Sequence, residues 1–244
     1  MQFALLPVLS FFEELYQQPI GQQRFNTYLA KLKGDRKDEL KSAIMGYNPM
    51  AKDHALIKVQ QLQQLEAEAI ALESINAFNK EQQAKSTEPF KLVINLADDL
   101  HGAWSHRAAT EFDSKFRFEG TFNHGFCTPY FWTSEELSTE IIQQRIKEYM
   151  HRTVFWQNNT GEKNLAYFVA QEHYVYSQFN EPESSVDDAE FSAIKDIYKE
   201  HLQTTNYSII FNFFYGDVAC LKLGYPTFGI TDLTGFDFAK QLTN

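Results

Sequence analysis

The spacing of apolar residues marks out a chain of helices separated by polar turns. Phe25, Tyr28, Leu29 and Leu32 recur at helical intervals and predict a helix over 21–33, closed by Gly34-Asp35. After the turn-forming run Gly46-Tyr47-Asn48-Pro49-Met50, Asp53 reads as the N-cap of a long helix over 53–80. Its apolar stripe is Leu56, Val59, Leu62, Leu65, Ala69, Leu72 and Ile75, and its other face is rich in Gln and Glu and suits solvent.

The apolar run 90–96 is too short for periodicity to separate a buried strand from the first turns of a helix. Residues 98–116 read as a helix weakened at Gly102, 118–129 as a loop, and 130–133 as a short strand. Thr133 or Ser134 then caps a helix that runs through Ile141, Ile142, Ile146 and Tyr149 to about Trp156. Further helices are expected over 165–176 and 189–202, with an acidic, Pro- and Ser-containing loop at 180–188, and the strongly apolar 208–223 reads as a buried helix with a strand as the alternative. The expected fold is mainly α, a single globular domain over 1–244 with two short strands at 90–96 and 130–133; an α+β architecture is the alternative.

Composition narrows the function classes. Hydrophobic residues make up 43% of 244, and 22 Phe with 12 Tyr supply enough ring area for a sizeable core. Lys and Arg total 22 against 32 Asp and Glu, a formal net charge of -10. Such a balance speaks against broad nucleic-acid binding, which needs cations to displace phosphate counterions, and against attraction to anionic membranes. The apolar start of the chain lacks a basic segment before Glu13-Glu14, so it is expected to pack on the core, with the cytoplasm as location. Cys127 and Cys220 form no metal-binding spacing and are expected as buried thiols.

The densest chemistry lies in Asp98-Asp99-Leu100-His101-Gly102-Ala103-Trp104-Ser105-His106-Arg107. Asp98 and His101 are spaced i, i+3, as are Glu148 and His151, so on helices each pair shares a face. Two such pairs on facing helices are a way to bind a divalent metal, which makes Asp98, His101, Glu148 and His151 the candidate ligands. Asp99, His106, Arg107 and Arg152 are candidates for holding a small or anionic ligand, because guanidinium groups bind carboxylate or phosphate bidentately. Glu172 and His173 are candidate catalytic bases. Plain packing roles stand beside each: N-capping for Asp98, core-edge hydrogen bonds for the histidines, and internal ion pairs for the arginines. Phosphate-binding glycine loops, nucleophile elbows and the His-Glu-x-x-His motif are absent from the sequence. The expectation is a non-secreted helical protein whose polar pocket binds a ligand, and the alternative is a metal-dependent hydrolase or oxidase.

Overall fold

The structure is a computed structural model that describes residues 1–34, 36, 39–82, 88–100, 105–179 and 188–242. Helix dominates the described residues: eleven helices accompany five strands of two or three residues each, a mainly α fold. The chain divides into two compact units, Met1–Met150 and His151–Asn244.

The first unit opens with β1 (Phe3–Leu5), α1 (Leu9–Gln17), α2 (Gln22–Leu32), α3 (Asp53–Gln64) and α4 (Ala67–Gln82). It continues with β2 (Phe90–Leu92), β3 (Asn95–Ala97), α5 (Arg107–Phe116), α6 (Glu119–Asn123), β4 (Phe126–Cys127) and β5 (Tyr130–Trp132), then enters α7 (Thr139–Asn158). All strand pairings are parallel: β2 lies between β1 and β4, and β3 pairs with β5. Val93 N donates to Cys127 O at 2.9 Å and Asn95 N to Pro129 O at 2.8 Å, so 90–97 and 126–132 run side by side across both ladders. Covered strands of this kind read as continuous apolar runs, and Leu92, Val93, Ile94 and Leu96 are all buried.

Two asparagines tie this small sheet to its surroundings. Asn95 is fully buried and satisfied: its Oδ1 accepts from Gly46 N at 2.9 Å, and its Nδ2 donates to Ala43 O at 2.8 Å. Asn79 of α4 accepts from Phe3 N and donates to Phe3 O, both at 2.9 Å, as a neighbouring strand would.

Three sequence expectations need correction here. The helix over 53–80 is two helices, α3 and α4, separated at Leu65-Glu66, where Glu66 adopts φ 53°. The helix over 98–116 begins only at Arg107, capped by His106, and Asp98-Asp99 lie beyond the end of β3 outside any helix. Pairing of Ala97 with Trp132, continued by the Thr133 N bond to Ala97 O at 3.0 Å, holds this segment extended and overrides local helix preference. Ser134 does not cap α7, which starts at Thr139 after Ser138, whose Oγ accepts from Ile141 N at 3.3 Å.

The second unit takes the last residues of α7 with α8 (Leu165–Ser177), α9 (Asp188–His201), α10 (Tyr207–Leu223) and α11 (Thr234–Gln241). Asn164 and Asn206 cap α8 and α10 by accepting from Tyr167 N at 2.9 Å and Ser208 N at 3.0 Å. Phe213, Phe214, Phe236 and Phe238 pack α10 against α11 with ring centroids 5.0 to 5.8 Å apart. Gly216 kinks α10 at φ 71°, and a Cβ there would lie 2.8 Å from the Thr231 carbonyl carbon. The kink presents Asp217 to the 228–230 turn: its carboxylate accepts from Asn212 Nδ2 at 2.9 Å, Phe228 N at 3.0 Å and Gly229 N at 2.8 Å.

Among the described residues no helix is long and apolar enough to cross a membrane. Both cysteines are buried thiols outside any disulfide.

Candidate functional site

Parallel pairing sets the carboxyl ends of β3 and β5 side by side, and the residues just beyond them are polar: Asp98 and Asp99 after β3, Thr133, Ser134 and Glu135 after β5. In open α/β sheets, ligands bind outside the carboxyl ends of parallel strands.

Asp98 is 2% exposed, a position where an ionised group requires partners. His54 Nε2 lies 2.8 Å from its Oδ1, Asn48 Nδ2 donates to Oδ2 at 3.2 Å, and Leu100 N donates to Oδ1 at 3.2 Å. An ionised carboxylate only accepts, which places the proton of the neutral His54 ring on Nε2 and leaves Nδ1 as the acceptor nitrogen. The ring sits in the first turn of α3 and keeps 18% of its side-chain surface exposed. Asn48 belongs to the 46–50 turn leading into α3, whose path is fixed by Tyr16 Oη donating to Asn48 O at 3.1 Å and Arg24 Nη2 donating to Ala51 O at 2.9 Å.

Asp99 forms the outer part of the cluster. It accepts from Ser134 N at 3.0 Å and Ser134 Oγ at 2.5 Å, with Arg107 Nη1 at 3.5 Å from its Oδ2. Thr133 Oγ1 stands 3.2 Å from Asp98 Oδ1 and 3.0 Å from Asp99 Oδ1. A hydroxyl has one proton, so it serves one carboxylate at a time. Glu135 turns back to accept from Trp132 N at 2.8 Å and pairs with Arg145 at 2.5 Å. Burial works against the Arg145 charge, but the Glu135 hydrogen bond and the negative charges of Glu135 and its neighbours together outweigh it and raise the guanidinium above its ordinary value. Arg107 is half exposed over the Trp132 ring, 5.4 Å from its centroid, and is the cation that faces solvent at this cluster.

Of the sequence-derived candidates, Asp98, Asp99 and Arg107 are brought together. His106 caps α5 through Nδ1, which accepts from Ala109 N at 3.4 Å. Glu148 accepts from Gln144 Nε2 at 3.2 Å along α7. His151, in the second unit, meets Tyr174 and Phe179 edge-on. Arg152 and Glu172, both fully buried, face each other: Nε donates to Oε1 at 2.8 Å and Nη2 to Oε2 at 2.6 Å, a bidentate link from α7 to α8. Gln171 extends that network by donating to Glu172 at 2.8 Å and accepting from Trp156 Nε1 at 2.5 Å. His173 Nδ1 is 3.0 Å from Ala239 O, so that nitrogen carries a proton. His101 lies outside the described residues. Among the described residues no three His, Cys, Asp or Glu side chains are grouped so as to hold a metal ion.

Sequence reasoning missed His54, the closest partner of Asp98. The two are separated by 44 positions, and Asn48 by 50, so no local spacing joins them. The one available signal was the crowding of Asn48, Asp53 and His54 around a helix start, which reads as capping. No family model, curated protein or solved structure matches the chain.

Proposed function

We propose that the chain binds a small polar ligand at the carboxyl ends of β3 and β5, with the Asp98–His54 pair as its proton-accepting group and Arg107 as the cation at its rim. The observation that carries this reading is the 2.8 Å contact between a 2% exposed carboxylate and an imidazole that keeps part of its surface open. A carboxylate that fixes the tautomer of a histidine leaves the other ring nitrogen as acceptor, which equips the ring for general-base work.

Ligand-observed NMR with a panel of small hydroxy acids, amino acids, polyols and amines tests the reading on wild type, His54→Gln and Asp98→Asn. At least one compound should bind wild type and be lost from both folded variants. Binding that survives both substitutions, or a panel without a single ligand, would leave the cluster as an internal hydrogen-bonded network.

A further inference from the structure

The first unit contains a cavity of about 670 Å³ that shares no residue with the Asp98 cluster. Its volume falls within the range of about 300–1,000 Å³ typical of small-molecule pockets. Leu32, Leu40, Met45 and Phe118 give it carbon walls. Charged residues, Lys33, Glu39, Asp113 and Arg117, also line it, and all four are surface-exposed.

Thr128 and Tyr130 supply the polar chemistry of the inner wall. They are two positions apart in the segment that forms and follows β4, so their side chains leave the same side of an extended backbone. Thr128 is 5% exposed, and among the described residues neither hydroxyl has a hydrogen-bond partner. Burial raises the Tyr130 hydroxyl above its ordinary value, helped by Tyr28 and Asp113, so it stays a neutral donor. Two other wall hydroxyls are already engaged, Ser114 with Glu111 O and Tyr149 Oη and Thr121 with Phe118 O. Hydroxyls both donate and accept, so these two, open to the cavity, can hold a single ligand head group between them. Moving a charged head group inside would cost more than two neutral hydroxyls return.

We infer that this cavity is a second binding site, which takes a small neutral molecule with an apolar body and one hydroxyl or carbonyl head group held by Thr128 and Tyr130. The inference is independent of the reading placed on Asp98 and His54.

Three probes of matched shape test it on the full chain: 2-phenylethanol, 2-phenylethylamine and phenylacetate, followed by saturation-transfer NMR and calorimetry. The alcohol should bind saturably, and the ammonium and carboxylate at least about tenfold more weakly. Tyr130→Phe with Thr128→Val keeps the cavity shape and should weaken the alcohol about tenfold, the effect of losing two neutral hydrogen bonds. Tyr130→Phe alone, which preserves the ring packing, should give an intermediate loss, so a folding failure in the double variant would not hide the result. His54→Gln should leave alcohol binding unchanged. Equal binding of a charged probe, unchanged alcohol binding in both hydroxyl variants, or no saturable binding of the alcohol would each overturn the inference.

Discussion

Asp98 shows how a single buried atom pair sets the chemistry around it. Its oxygens accept from a histidine, an asparagine and a backbone N–H, so Asp98→Asn would point an amide donor at groups that already donate. We expect a loss of about 1–3 kcal/mol in urea unfolding, the scale of leaving buried partners unsatisfied. His54→Gln, which can still donate to the carboxylate, should cost less than Asp98→Asn. A larger loss for His54→Gln would mean that ring packing, not the hydrogen bond, matters most. Asp217 belongs to the same scale and carries a pH effect. Burial opposes its charge, but hydrogen bonds from Asn212 and from the backbone of 228–230 outweigh it and hold the carboxyl below its ordinary value. A depressed folded-state pKa contributes stability above the unfolded value of about 3.9, and that contribution disappears as pH falls through the lower folded value. Acid unfolding followed by circular dichroism should therefore steepen below about pH 4, and Asp217→Asn should flatten that limb.

At the scale of elements, the Arg152–Glu172 link joins α7 to α8 inside the second unit. Glu172→Leu or Arg152→Met alone leaves one buried charge and should cost about 3–5 kcal/mol, whereas the two changes together should recover most of it. Thermal unfolding of the four proteins closes that cycle, and additive losses would show that the pair is not coupled. Gly216→Ala should destabilise the second unit by about 1–3 kcal/mol, because its φ is positive and the Thr231 backbone blocks a Cβ.

The same scale shows what could be read in advance. The helices expected over 21–33, 165–176, 189–202 and 208–223 are found as α2, α8, α9 and α10: the first carries an apolar stripe of period 3.6, a local signal, whereas α10 is a strongly apolar run, buried at every position from Ile210 to Gly216. The kink at Gly216 was not legible, since it depends on the turn at 228–230 coming back to meet Asp217. Nor was the extended path of 95–99, since pairing with 130–133 decides it. For the candidate site, Asp98, Asp99 and Arg107 could be singled out by crowding alone. Their partners His54, Asn48 and Ser134 come from other elements, and only the tertiary fold brings them in.

On the scale of the whole molecule, three parallel paths of backbone support the first unit, and β1 forms one margin of them with only three residues. The amide of Asn79 occupies the N–H and C=O that Phe3 would otherwise offer sideways. Unpaired groups on an outer strand are a template on which another chain adds, and natural sheets cover or interrupt them. Asn79 is a one-residue stopper against that addition. Asn79→Ala should leave the monomer folded yet hasten its conversion to self-templated aggregates, visible as faster growth of light scattering on storage, while Asn79→Asp, which can accept but not donate, should fall between.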